Sequence, residues 1–248
     1  VKGLLREYVV FWQEVWRAYQ TTGAILPSSR SLGRALARYV GRQDHPQWIL
    51  EVGPGTGAVT RWILARMRPE DHLDLVELNG RFVARLRERF ASEPTFRQLE
   101  AQVRIFHAPV QQMPTGQPYD LIISGLPLNN FQVSDVQAIL EKMISLLRPG
   151  GMLSFFEYIG IRRLRSLVAD RADRERLQGI EYLFRNLFRQ AEIRRDWIWL
   201  NLPPAWVHHL QPPSAPATRN NPLRGCPEIP FLAGWTTNRR PPRLPKSP

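Results

Sequence analysis

The sequence predicts an α/β protein built on a doubly wound, mostly parallel sheet of seven strands, and three observations carry that prediction. From residue 47 onward, short apolar runs alternate with stretches of helical periodicity, the pattern of a sheet covered by crossover helices. One of these runs, ILEVGPGTGAVT (49–60), passes from a buried strand through a glycine-rich turn straight into a helix. A length of 248 residues with 43% hydrophobic content suits one such domain with appendages.

The elements follow in chain order. Residues 1–20 place Leu4, Leu5, Tyr8, Trp12, Val15, Trp16 and Tyr19 on one apolar, aromatic-rich stripe of a helix. Pro27-Ser28-Ser29 reads as a turn and cap before a second helix, from Arg30 to about Val40. Strands are expected at 48–52, 73–77, 103–107, 120–124 and 152–158, the last after the turn RPGG. Helices are expected at 59–67, 81–90 and 133–147, and a basic helical region at 160–190. Segments 193–200 and 205–210, flanking Pro203-Pro204, form a terminal strand pair. Residues 211–248 are rich in Pro and Arg and lack periodicity, the composition of a flexible tail. The chain thus divides into N-terminal amphipathic helices (1–40) as a membrane or substrate cap, a sheet domain (41–210) and the tail.

Charge is unevenly spread. Of the net +12, residues 51–158 contribute −1, while 1–50 contribute +4, 159–200 +4 and 201–248 +5. Basic flanks around a near-neutral core suit a polyanionic partner, either nucleic acid or an anionic membrane surface. Cys226 is the only cysteine, which excludes a disulfide framework and a Cys-based metal site and fits a reducing cytoplasm. No apolar run approaches the length of a membrane span, and Glu7 and Glu14 interrupt any signal-peptide core. Membrane contact, if it occurs, is therefore expected at the surface. No metal is expected, and the chain is expected to act as a monomer.

The glycine turn carries the first chemistry. In Glu51-x-Gly53-x-Gly55-x-Gly57, glycines permit backbone conformations that a Cβ forbids and let a ligand approach the main chain. Glu77, in LVELN at the end of the next strand, stands where a carboxylate takes both hydroxyls of a ribose. A dinucleotide fold would carry G-x-G-x-x-G; E-x-G-x-G-x-G instead resembles motif I of the class I S-adenosylmethionine (SAM) methyltransferases, with a Rossmann-like fold. The resemblance implies that Gly53, Pro54, Gly55, Thr56 and Gly57 line the amino-acid part of SAM. It also implies that Glu51 influences that loop and that Glu77, with Leu78, meets the ribose. Asp120 and Arg148-Pro149-Gly150-Gly151 fall where that superfamily has them. The acid that usually meets the adenine amino group is missing: FHAPVQQMP has Pro109 there. Adenine recognition falls to backbone groups of Ala108, Pro109 and Val110.

The second motif is SGLPLNNF (124–131), a proline-fixed exit from the fourth strand. In a parallel sheet ligands collect outside the strands' carboxyl ends, so this loop faces the methyl acceptor. Pro127 fixes its own φ and biases Leu126 toward an extended shape. Ser124, Gly125 and Leu126 are thus candidates to hold an acceptor nitrogen through their backbone. The rRNA adenine N6-dimethyltransferases are similar in GPGTGAVT and VELN but use N-x-P followed by an aromatic that stacks on the base. Here Ser124 or Gly125 and Leu128 occupy those positions, and nucleic acid is not the expected partner.

A fuller resemblance runs in order from about residue 8 to 210 through TGAILPSSRSL, VGPGTGAVT, VELN, SGLPLNNF, LRPGG and NLPPAWV. These segments resemble the bacterial phospholipid N-methyltransferases of the PmtA type. The resemblance implies stepwise methylation of phosphatidylethanolamine, through mono- and dimethyl forms, to phosphatidylcholine, with S-adenosylhomocysteine as by-product. It implies an enzyme of the cytoplasm held peripherally on the inner face of the cytoplasmic membrane. Under it, Tyr8, Tyr19 and Tyr158 are candidates to face the quaternary ammonium. Ser28, Ser29 and Arg30, at a helix N-terminus, are candidates for the lipid phosphate. Two other readings stay open: an rRNA adenine N6-methyltransferase, and a SAM-fold protein that binds membrane or RNA without catalysis. The aromatic stripe of 1–20 can equally cap the core, and Tyr158 can equally be packing.

Overall fold

The computed structural model describes residues 28–159, 171–201 and 204–213. The readings of 1–20, including Tyr8 and Tyr19, and of the tail beyond residue 213 lie outside the described residues. The seven strands are β1 (Trp48–Val52), β2 (His72–Glu77), β3 (Val103–His107), β4 (Tyr119–Ser124), β5 (Leu147–Tyr158), β6 (Glu192–Ile198) and β7 (Ala205–Leu210). Around them lie α1 (Ser28–Leu36), α2 (Thr60–Leu64), α3 (Gly80–Ser92), the short α4 (Pro94–Arg97), α5 (Val133–Leu146) and α6 (Arg171–Ala191).

All seven strands form one sheet in the order β3-β2-β1-β4-β5-β7-β6. Strands β1 to β5 are parallel, and β7 runs antiparallel between β5 and β6. The winding reverses between β1 and β4, so their carboxyl ends border the crevice where open α/β sheets bind ligands. Central strands covered on both faces must be apolar throughout, which explains WILEV and YDLIIS. Every residue of β4 is buried.

The pleat sends alternate residues to two cores. Leu50, Val52, Ile122, Leu153 and Phe155 pack with Val136, Ile139 and Leu140 of α5 and Ile180, Phe184 and Leu187 of α6. Ile49, Leu121, Ile123 and Met152 face the other way, with Leu36 of α1, Ile63 and Leu64 of α2, and Leu86 and Phe90 of α3. Residues 28–40, assigned from the sequence to the cap, bury Ala35, Leu36, Ala37 and Val40 in this second core.

The RPGG segment differs from the expected turn. Leu147 pairs with Tyr119 and Met152 with Leu121, so Arg148 to Gly151 bulge from within β5, with Gly150 at φ 78°. Across the bulge Arg148 Nη1 meets Asp120 Oδ1 at 2.7 Å, and Asp120 Oδ2 accepts the Trp48 N–H at 2.7 Å. The two superfamily markers thus contact each other at the sheet's amino end, far from the glycine turn. Asp74 ties strands together in a similar way. Its carboxylate takes Arg104 bidentately at 2.7 and 2.7 Å and accepts the buried Tyr119 hydroxyl at 2.6 Å. Asp74→Ala strands that hydroxyl and is expected to lower the unfolding free energy by about 1–3 kcal/mol, measured by urea titration.

Candidate active site

The crevice at the carboxyl ends of β1, β2 and β4 is a narrow cleft lined by Val52, Gly53, Val76, Glu77, Leu78, Ala108, Pro109, Val110 and Leu126. Six of these are residues that the sequence assigns to the cofactor: Gly53, Glu77, Leu78, Ala108, Pro109 and Val110. Leu126 is one that it assigns to the acceptor side.

The glycine turn is held from three sides. Gly53, Gly55 and Gly57 all sit in the left-handed region, at φ 69°, 57° and 83°. The Gly53 N–H donates to the Val76 carbonyl at 3.0 Å, tying the turn to β2. Arg89 Nη1 donates to the Thr56 carbonyl at 2.6 Å from α3. Glu77 accepts the Gly55 N–H at 3.0 Å on one oxygen and the Asn79 N–H at 2.8 Å on the other. Glu77 therefore bridges the turn and its own strand end. Each of its oxygens has a further lone pair for a ribose hydroxyl. Burial raises the Glu77 pKa, opposed by the backbone bonds from Asn79 and Gly55.

Gly53 and Gly55 are constrained in opposite ways. A Cβ on Gly53 would overlap Leu126 Cδ2, whereas one on Gly55 would meet no atom within 4 Å. Pro54 is buried between them. The turn is packed shut against the β4 exit at one glycine and open at the next. Such an open backbone cradle, flanked by Glu77, fits the polar end of a SAM molecule.

The exit of β4 is equally fixed. The Gly125 N–H donates to the Val52 carbonyl at 2.8 Å, and a Cβ on Gly125 would lie 2.6 Å from the Gly53 carbonyl. Pro127, at φ −78° and ψ 76°, is the centre of an inverse γ-turn closed by the Leu128 N–H on the Leu126 carbonyl at 2.9 Å. Leu126 therefore contributes its side chain to the cleft, while its carbonyl is occupied within the turn. The Ser124 hydroxyl accepts the Leu126 N–H at 3.3 Å. Leu128 and Phe131 are both buried in the core beneath.

The side of the cleft formed by Ala108, Pro109 and Val110, where the sequence places adenine, is apolar. Ala108 donates its N–H to the Glu77 carbonyl at 3.1 Å, and the Pro109 carbonyl accepts from Gln112 at 2.9 Å. Tyr158 lies elsewhere: half-buried at the end of β5, it packs edge-on to Phe156 with ring centroids 5.1 Å apart, on the α1 side of the sheet. Burial raises its pKa. Arg30 is exposed in the first turn of α1, which begins at Ser28. Among the described residues no group of three or more His, Cys, Asp or Glu side chains could hold a metal ion.

Sequence reasoning misses Val52 and Val76 as cleft walls, Arg89 as a tether and Thr60 as the partner of Glu51. These are long-range packing relations, and only the E-x-G-x-G-x-G spacing hints at the last. Glu51 is fully buried: Oε2 accepts the Thr60 hydroxyl at 2.7 Å, and Oε1 has no hydrogen-bond partner. Burial pushes its pKa up to about 8, partly offset by the Thr60 bond, with the Glu77 charge adding to the rise. The folded protein thus holds this proton up to about pH 8, while the unfolded chain releases it near 4.5. The folded state binds more protons in that window, so stability falls as pH rises through it. In the ligand-free protein, Glu51→Gln is expected to lose less stability than the parent between pH 5 and 8, measured by urea unfolding at both pH values.

Residues 49–151 match the methyltransferase domain family. Over 147 residues the chain is 27% identical to an ornithine lipid N-methyltransferase of Singulisphaera acidiphila, covering 59% of this chain and 76% of that protein. It is 32% identical over 137 residues to the ribosomal RNA small subunit methyltransferase A of a Synechococcus strain, but spans only 41% of that relative's length. The crystal structure of the N-methyltransferase NodS from Bradyrhizobium japonicum with S-adenosyl-l-homocysteine superposes with a TM-score of 0.53 at 16% identity, over 77% of this chain and 90% of that one. These likenesses show the Rossmann-like fold of the methyltransferases, and within it residues 49–151 match a methyltransferase domain.

Proposed function

We propose that this protein N-methylates a membrane phospholipid, converting phosphatidylethanolamine stepwise through mono- and dimethyl forms to phosphatidylcholine. The observation that carries the reading is the β4 exit, locked onto the glycine turn by the Gly125–Val52 bond and by Leu126 against Gly53. SAM supplies a methyl group on a sulfonium. Transfer to the amine lone pair would break the C–S bond and release S-adenosylhomocysteine, and the nitrogen would shed one proton at each of the first two transfers and none at the third. The protein's part is positioning. The backbone of Ser124 and Gly125 orients the N–H groups of the amine, and the rigid turn at Pro127 keeps that orientation through successive methylations. Once quaternary, the nitrogen has no N–H left and is recognised by aromatic faces, the role assigned to Tyr8 and Tyr19 outside the described residues; Tyr158, packed on Phe156 away from the cleft, is not assigned it. Ser28, Ser29 and Arg30 at the start of α1 are assigned the lipid phosphate. The enzyme works peripherally and as a monomer on the inner face of the cytoplasmic membrane; none of its described helices is long and apolar enough to cross one.

A second reading, N-methylation of an ornithine lipid, is favoured by the 27% identity to such an enzyme and uses the same amine chemistry. Methylation of rRNA adenine is disfavoured because Leu128, at the position of a stacking aromatic, is only 2% exposed.

Purified protein given labelled SAM is expected to label vesicles containing phosphatidylethanolamine. Label confined to ornithine lipid would move the assignment to the second reading, and label in rRNA or in no acceptor would overturn both. Glu77→Ala is expected to weaken SAM binding roughly 10- to 100-fold by calorimetry, as the loss of charged hydrogen bonds implies. Unchanged affinity would remove Glu77 from the site.

A further inference from the structure

The end of the sheet that carries the cleft also carries an exposed apolar tip. Strand β6 is antiparallel to β7, which is antiparallel to β5, so β6 runs in the same sense as β5. Its last residue, Ile198, lies level with Ala205 and through it with Tyr158, at the carboxyl end of the parallel strands. Trp199 and Leu200 continue beyond it, 64% and 85% exposed. Trp197, 51% exposed, stacks on Trp199 at 5.1 Å and meets Trp206 edge-on at 5.3 Å. The tip is braced: Ile159 donates to the Pro204 carbonyl at 2.7 Å and Asn201 to the Ile198 carbonyl at 3.3 Å.

The same end is basic. Helix α2 leaves the carboxyl end of β1, so Arg61 stands near that end. Helix α1 lies alongside in the same sense, because Gly33 abuts Trp62 and Gly41, beyond its end, abuts the Arg66 carbonyl. Its first turns therefore also point there. Arg30, Arg34 and Arg61 are all exposed, and Arg34 and Arg61 flank the Trp62 ring at 4.6 and 5.4 Å.

We propose that the β6–β7 tip, with Trp197, Trp199 and Leu200, docks on an anionic lipid bilayer, turning the cleft toward the membrane while Arg34 and Arg61 meet lipid phosphates. Tryptophan at the headgroup level with an aliphatic residue ahead of it matches the polarity gradient of a bilayer surface. The arginines supply the complementary charge. A protein partner is a poorer match, since three side chains fall short of the roughly 800 Å² per partner of a stable interface. Leu200, at the apex, has no ring to stack on a nucleic-acid base. The choice of lipid as partner rests on the lipid-methylation reading, and the experiment separates the two.

The test uses the full chain and co-sedimentation with phosphatidylglycerol–phosphatidylethanolamine vesicles. Trp199→Ala/Leu200→Ala is expected to lower the partition coefficient at least about tenfold. SAM affinity, and methylation of a short-chain lipid dissolved as monomer, are expected to remain unchanged. Arg34→Gln/Arg61→Gln is expected to reduce binding to these vesicles but not to neutral phosphatidylcholine vesicles. Parent-like sedimentation of the tip variant would overturn the proposal. So would absence of vesicle binding by the parent, or a variant that loses self-association or rRNA binding instead. Should the parent bind vesicles through the tip yet transfer no label to lipid, docking stands and the lipid-methylation reading falls.

Discussion

Leu126 resting on Gly53 is the contact on which the rest of the site depends. It exists because residue 53 has no Cβ and sits at φ 69°, which lets the β4 exit approach the glycine turn at van der Waals distance. The Gly125 amide bonded to Val52 and the missing Cβ of Gly125 against the Gly53 carbonyl complete the same seam. Two loops, one from each side of the sheet's reversal point, are thereby fused into a single rigid wall. The proline at 127 terminates that wall with a γ-turn instead of a continued strand. The two walls of the cleft cannot drift apart without breaking this packing.

Around the seam, charge is arranged by burial. Glu51 and Glu77 stand at the ends of neighbouring strands, both out of water, and both have raised pKa values for that reason first. Their hydrogen bonding differs. Glu77 is held by two backbone N–H groups, which favour its charged form. Glu51 has a single hydroxyl donor and a bare second oxygen, so its neutral form prevails in the ligand-free protein. The sheet thus presents one anchored carboxylate to the cleft and keeps another protonated behind the glycine turn. Away from the cleft, Asp74 and Asp120 use their charges structurally, joining β2 to β3 and β4, and β4 to β1 and the bulge of β5.

The proposed activity asks the sheet to face two phases at once, an aqueous cofactor and a lipid amine. The antiparallel β7 answers part of that demand. By reversing direction it brings the β6–β7 turn to the same end as the cleft, so that an apolar tip and the reacting centre share one face. The basic first turns of α1 and α2 border that face.

Local chemistry is enough to read much of this from the chain. The alternation of strand and helix patterns, the glycine turn and the terminal strand pair are short-range signals, and all seven expected strands are found, although β5 begins at Leu147, before the expected turn, and β6 stops at Ile198, short of the expected end at 200. Cleft residues Gly53, Glu77, Leu78, Ala108, Pro109 and Val110 are legible because strand ends in a parallel sheet converge by topology. What the chain conceals depends on distant partners. That Leu126 turns its side chain onto Gly53 and uses up its carbonyl, that RPGG bulges inside β5, and that Thr60 bonds Glu51 follow from three-dimensional packing. The exposure of Trp199 and Leu200 is the clearest case: the sequence places the pair in a strand at 193–200, but β6 ends at Ile198 at the sheet's edge and leaves both in solvent. Periodicity specifies which face of an element is apolar, but tertiary structure decides whether anything covers it.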